Sequence, residues 1–210
     1  MSAKLLFIDE NYGDRLSSIR LTGAFEGCLI LANAARRAKQ TTSTKPWQIQ
    51  LKTLLESQLP REKVALVGVG HPLKGDDYVG SRAVKAVKKS LNGMLPTGVC
   101  LLDAEEHVEE AVTKLASLKP RHIIFIDACE MSAKPGEVRL LSLAKTSYPL
   151  FATHGIPLKL LAEQLLSSSE AWILAIQPDR TGFAETLSPE VQKTMMTISD
   201  FISASILEVA

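Results

Sequence analysis

The sequence predicts an α/β fold, a three-layer α/β/α sandwich with a mostly parallel central sheet. Short apolar runs alternate with segments of helical period along the 210 residues. The runs are continuous and branched, as in Ile123-Ile124-Phe125-Ile126. Loops carrying glycine or aspartate follow their carboxyl ends. A strand with one face in water alternates apolar and polar residues, so an unbroken run belongs in a sheet covered on both faces. Strands separated by helices point to parallel crossovers.

In chain order, Lys4 to Ile8 reads as a strand and Gly23 to Lys39 as a helix, followed by the polar linker 40–45. Residues 1–45 are therefore set apart as an N-terminal extension, and 46–210 form the α/β domain. Pro46 to Leu59 places Trp47, Leu51, Leu54 and Leu55 at helical spacing, with proline in the first turn. Val64 to Val67 is a buried strand. It enters a loop holding Gly68, Gly70 and Gly75 and ending in Asp76 and Asp77. The helix on Val79, Ala83, Val84, Val87 and Leu91 stops at Asn92-Gly93. Val99 to Leu102 is the next strand, and Glu105 to Leu118 a helix ended near Pro120. Ile123 to Ile126 follows, closed by Asp127. After the turn Lys134-Pro135-Gly136 comes a strand from Glu137 to Leu141. His154 precedes a helix through Leu166. Trp172 to Ile176 is the last strand, and Ser188-Pro189-Glu190 opens a terminal helix.

Composition narrows the function. Hydrophobic residues are 46% of the chain, enough for a sizeable core. The formal charge is +1 and the basic residues are scattered without aromatic interleaving, so nucleic-acid binding is excluded. The apolar stretch Gly27 to Ala35 is too short to span a bilayer and the start lacks a signal pattern, so no membrane insertion and a cytoplasmic location are expected. Cys28, Cys100 and Cys129 show no CxxC spacing and read as small buried hydrophobes.

Ligands in such sheets bind beyond the carboxyl ends of the strands. Asp77 follows the first central strand, Asp127 ends the third, and His154 stands before a later helix, so all three are expected in one crevice. Two carboxylates and an imidazole suit a divalent transition metal with open coordination positions. Each residue also has a plainer reading. The Asp pair is equally a helix cap, Asp127 a partner of a neighbouring loop, and His154 a helix-start residue satisfied by backbone. His71 stands near enough to be an extra ligand, whereas His107 and His122 read as solvated. Gly68-Val69-Gly70 offers half of a dinucleotide fingerprint, but Gly75 comes too late to complete it.

Four segments together resemble the nickel-iron hydrogenase maturation endopeptidases, within them the type serving hydrogen-evolving or formate-linked enzymes. They are GVGHPLKGDD (68–77), IIFIDACEMSAKPGEVRLL (123–141), THGIPLKLL (153–161) and IQPDRTGF (176–183). The resemblance covers about Trp47 to Ile206. It implies an endopeptidase that removes a C-terminal extension from the nickel-loaded large-subunit precursor of a hydrogenase. Asp77, Asp127 and His154 then fall on the family's metal-binding positions. The ion is nickel, already held by the substrate's cysteine-ligated site, and other divalent transition metals are able to substitute. Where the family pattern has Asn and Gly, this chain has His71 and Tyr78, and a glycine-containing loop is replaced by residues 103–107.

The expected activity is thus metal-assisted peptide hydrolysis by a monomer, with Asp77 or Asp127 as general base and Asp76 as a helix cap or a support for Asp77. The alternative on the same residues is a non-proteolytic factor that binds metal or precursor.

Overall fold

The computed structural model describes residues 44–58, 63–145 and 169–208. The expected N-terminal strand and helix, Cys28, His154 and the helix after His154 lie outside them.

Helix α1 (Pro46–Gln58) opens where the sequence places it. The Lys45 N–H donates to Gln48 Oε1 at 2.8 Å, while Lys45 O accepts the N–H of Gln48 at 2.9 Å. This reciprocal arrangement satisfies donors that the first helical turn leaves over. Trp47, Leu51 and Leu55 face inward, and the Trp47 ring meets Phe201 edge to face at 5.3 Å between centroids.

Five strands form one sheet: β1 (Val64–Val69), β2 (Val99–Glu105), β3 (His122–Ala128), β4 (Val138–Ser142) and β5 (Glu170–Ile176), in the order β2-β1-β3-β5-β4. The first three pairings are parallel, and β4 joins the edge antiparallel to β5. Continuous apolarity has the expected cause. Val64, Leu66, Ile124, Ile126, Leu174 and Ile176 pack on one face against α1, α2 (Val79–Leu91) and α4 (Pro189–Glu208). Their neighbours Ala65, Val67, Ile123, Phe125 and Ile173 pack on the other against α3 (Val108–Leu118). Helices thus lie on both faces, and the fold is the expected α/β/α sandwich. Among the described residues no helix is long and apolar enough to cross a membrane.

Helix ends follow local chemistry. Asn92 and Gly93 take φ of 44° and 82° after α2, a left-handed stop. Lys119 does the same before Pro120 at φ 49°.

Two expectations are corrected. Strand β2 runs to Glu105, and α3 begins only at Val108 rather than at Glu105. The cause is a shift in register: Gly68 pairs with Asp103 but Val69 with Glu105, and the Gly70 N–H then donates to Glu105 O at 2.9 Å. Backbone pairing with β1 therefore claims residues whose sequence suited a helix. His122 is not solvated: it is 5% exposed as the first residue of β3, with Nδ1 3.7 Å from Glu170 Oε2. It lies at the amino end of the sheet, away from the crevice.

The order of strands fixes where that crevice is. β1 is followed by β2 on one side, whereas β3 pairs on the other side of β1. Connections leave in opposite directions from the carboxyl ends of β1 and β3, which opens the sheet edge there.

Candidate active site

Both aspartates singled out in the sequence reach that edge. Asp127 is the penultimate residue of β3, and Asp77 lies in a 3-10 turn (Gly75–Tyr78) between β1 and α2. They are 2% and 3% exposed. Asp77 Oδ2 accepts the His71 N–H at 2.9 Å. Among the described residues Asp77 has no cationic partner. A buried carboxylate in that condition is electrostatically receptive to a cation.

Glycines bring the two strand ends and the helix start into contact. A Cβ on Gly80 would lie 1.8 Å from Ile126 O, so the first turn of α2 rests directly on the backbone before Asp127. A Cβ on Gly68 would lie 2.5 Å from Gly80 O, and one on Gly70, at φ +142°, would lie 1.9 Å from Asp77 O. Only residues without a side chain fit at this approach. At Gly68 and Gly70 the position a side chain would take is occupied by the chain's own backbone.

Asp76 is not the helix cap the sequence suggested. Neither the 3-10 turn nor α2 receives a side-chain cap. Instead the fully buried Asp76 carboxylate takes hydrogen bonds from the N–H of Asp179 (2.9 Å) and Arg180 (3.0 Å), and from the N–H (2.6 Å) and hydroxyl (2.8 Å) of Ser188. It fastens the segment between β5 and α4 to the crevice wall. Gln177 ties the other wall in the same way. Its Oε1 accepts from Met131 N at 2.7 Å, and its Nε2 donates to Glu130 Oε2 at 2.9 Å. The sequence marked Gln177-Pro178-Asp179 only as the end of a strand, and Ser188 only as a helix opener. Nothing local shows that their partners stand elsewhere.

His71 is not arranged as an extra metal ligand. Its Nδ1 accepts the Leu73 N–H at 3.1 Å and its Nε2 faces Glu106 Oε2 at 3.1 Å, so both ring nitrogens are engaged. Tyr78 turns to the rim. Its hydroxyl donates to Glu105 Oε1 at 3.0 Å and meets Lys85 Nζ, which also lies 2.7 Å from Glu105 and 3.1 Å from Asp103. Partial burial alone would lower the Lys85 pKa. Its bonds to Glu105, Tyr78 and Asp103 outweigh this and raise it. The bond from Lys85 correspondingly holds the Glu105 carboxyl below its ordinary range. Glu105 sits at φ 48°, where glycine is unstrained, and these side-chain bonds help to hold it there.

Cys129, two residues past Asp127, reads as the sequence suggests. Burial pushes its thiol well up, and the nearby charges of Asp127 and Asp77 push it further. A neutral buried thiol is no nucleophile. Among the described residues no three His, Cys, Asp or Glu side chains converge as a metal cluster. The structure brings Asp77 and Asp127 to one edge, and the third expected ligand, His154, lies outside the described residues.

A doubly covered, mostly parallel sheet with two buried acids at its switch point defines a doubly wound α/β protein with a candidate acidic site. Comparison with known proteins narrows the class. Residues 82–205 match the sequence profile of the hydrogenase maturation protease family, HycI type, and the chain belongs to that family. A Methanocaldococcus jannaschii relative, provisionally named a hydrogenase maturation protease, is 30% identical over 145 residues, 66% of this chain and 85% of its own. The hydrogenase 3 maturation protease of Escherichia coli is 26% identical over 135 residues, 63% of this chain and 84% of that one. Among solved structures, the [NiFe] hydrogenase maturation protease HycI of Thermococcus kodakarensis superposes with a TM-score of 0.64 at 25% identity, over 73% of this chain and 99% of its own.

Proposed function

We propose that this protein is the endopeptidase that removes a C-terminal extension from the nickel-loaded large-subunit precursor of a nickel-iron hydrogenase. The observation that supports the reading is the position of two buried acids, Asp77 and Asp127, at the carboxyl edge of the sheet in a chain of the hydrogenase maturation protease family. The Escherichia coli relative is named a hydrogenase 3 maturation protease, which supports this reading.

The donor set fits a divalent ion: two buried carboxylates, of which Asp77 Oδ1 accepts no hydrogen bond among the described residues. Two carboxylates fill only part of a transition metal's coordination. This suits an ion that arrives on the precursor with ligands of its own, with His154 as the remaining protein ligand. Nickel is then part of the substrate, and other divalent transition metals of similar size can take its place. The ion supplies Lewis-acid polarisation at the scissile bond. The chain's own residues hold and orient. The His71 N–H fixes one oxygen of Asp77, the glycine contacts fix its distance from β3, and one of the two aspartates accepts the proton of the attacking water. Cys100 and Cys129 are both free thiols, which suits cytoplasmic work.

The test is cleavage of a matched nickel-loaded precursor, followed by mass spectrometry of the large subunit. Asp77→Ala, Asp127→Ala and His154→Ala are each expected to lower the rate by at least about 10³-fold while the thermal midpoint stays near that of the parent. Full cleavage by His154→Ala would refute the ligand assignment. An unprocessed tail in a stable complex with the parent protein would refute the peptidase.

A further inference from the structure

The turn that carries Asp77 is steered from the neighbouring strand. Strand β2 bulges before it ends: Gly68 faces Asp103 and Val69 faces Glu105, so Ala104 is left between two paired positions. Glu105 closes the bulge at φ 48°, a conformation that strains an L side chain and leaves glycine unstrained. What the bulge gains is the direction of one carbonyl. Glu105 O accepts the Gly70 N–H at 2.9 Å. Gly70, at φ +142°, lies so close to the Asp77–Tyr78 peptide that a Cβ on it would stand 1.9 Å from Asp77 O and 2.7 Å from Tyr78 Cα. The next N–H along the chain, that of His71, donates to Asp77 Oδ2 at 2.9 Å. A movement at Glu105 therefore reaches the Asp77 carboxylate through two consecutive amides.

Two neighbouring side chains hold Glu105 in its left-handed conformation. The Tyr78 hydroxyl donates to Glu105 Oε1 at 3.0 Å, and Lys85 Nζ reaches the same oxygen at 2.7 Å. Lys85 also donates to the Tyr78 hydroxyl and pairs with Asp103 Oδ2 at 3.1 Å. The Tyr78 ring is gripped by two cations, Lys85 Nζ at 4.8 Å from its centroid and the Arg82 guanidinium at 5.6 Å, so its hydroxyl is aimed. Helix α2 thus supplies Lys85 and Arg82, the 3-10 turn supplies Tyr78, and β2 supplies both acids. Ion pairs at such a half-exposed rim add little to global stability. Their effect is local, because two donors sharing one carboxylate oxygen fix its rotamer and with it the backbone behind.

We infer that Tyr78, Lys85 and Glu105 are positioning residues for Asp77: they lock the left-handed turn at Glu105, whose carbonyl sets Gly70 and so the His71 N–H that orients the Asp77 carboxylate. They act through Asp77 rather than on the reacting bond. The inference rests on the peptidase reading for what Asp77 does, and amide exchange separates the two.

The experiment compares Glu105→Ala, Glu105→Gly, Lys85→Ala and the double variant Glu105→Gly/Lys85→Ala with the parent chain. The readouts are amide hydrogen exchange and steady-state cleavage of the matched nickel-loaded precursor. Glu105→Ala keeps the strained φ and loses the bonds. It is expected to lower exchange protection at Gly70 and His71 by about tenfold, with the core amides of Leu66 and Ile124 unchanged, and to lower kcat about five- to tenfold at unchanged KM. Lys85→Ala should act in the same direction by about threefold, since one bond to Glu105 remains. Glu105→Gly takes up the turn without needing the bonds, so it recovers most of both losses, and adding Lys85→Ala to it changes neither readout further. Glu105→Asn, which also tolerates positive φ, replaces the glycine variant should that loosen β2. Unchanged His71 protection in Glu105→Ala, no recovery with glycine, a further loss on adding Lys85→Ala, or lost protection at unchanged kcat would each overturn the positioning role while leaving cleavage by the parent intact. His71 protection that falls in Glu105→Ala and returns in Glu105→Gly, in a parent that never cleaves, would support the network and sink the peptidase instead.

Discussion

Replacing Gly80 with alanine adds a single methyl group at the point where α2 meets the sheet. That methyl would sit 1.8 Å from Ile126 O, 2.6 Å from Ile126 C and 2.6 Å from Val69 O. All three are backbone atoms of fully buried strands, so none can turn aside. Since carbon–oxygen contacts under about 3 Å are not tolerated, the helix start has to retreat by roughly 1.2 Å. Alanine is the better helix former by about 1 kcal/mol, which offsets part of the cost. Overpacking of this kind costs about 3 kcal/mol or more, leaving a net loss of roughly 2–3 kcal/mol. In a chain of this size that lowers the thermal midpoint by about 4–12 °C. The larger effect falls on chemistry, because the retreat carries Asp77 away from Asp127. A displacement near 1 Å is worth about a hundredfold in rate. Urea unfolding and precursor cleavage measure the two effects separately. Gly93→Ala is the control: nothing lies within 4 Å, so it carries only the strain of φ +82°, about 1–2 kcal/mol, and leaves cleavage unaltered. A Gly80→Ala protein within 1 kcal/mol of its parent and cleaving at the parental rate would refute the account of how the two acids are held together.

Further outcomes follow from the buried polar groups. Asp76→Ala leaves the N–H groups of Asp179, Arg180 and Ser188 without their acceptor, and should cost about 3–5 kcal/mol in urea unfolding. A loss below about 1 kcal/mol would mean that water replaces the carboxylate there. Cys129→Ala should cleave at the parental rate, and Cys129 should resist alkylation until the protein unfolds. Its folded pKa lies above the unfolded value, so the folded state keeps its proton longer and stability falls as pH rises past about 8.5. Rapid labelling of Cys129 in the folded protein at pH 8 would contradict this.

Much of the fold was open to reading because its signals are local. The run Ile123 to Ile126 announces a strand covered on both faces, Asn92-Gly93 announces a left-handed stop, and Pro46 announces a helix start. Each involves neighbours in the chain and little else. The boundary at Glu105 was not legible, since it depends on the irregular register of β2 with β1, a property of two segments at once. His122 misled for a similar reason. Its position beside Arg121 suggested water, while its burial is set by β3 entering the sheet. In the site, the edge location of Asp77 and Asp127 followed from their places just beyond or at the carboxyl ends of apolar runs. The part played by Asp76 did not, because an acid before a helix has the same local appearance whether it caps that helix or anchors a remote segment. Gly80 was overlooked for want of any sign in the sequence that its missing side chain faces Ile126.

The bonds made by Asp76 have a consequence for the order of events during synthesis. Its acceptor oxygens are filled only by residues beyond the last strand, so for most of translation this acid can only stand hydrated at the mouth of an unfinished cleft. The wall closes after Ser188 has left the ribosome.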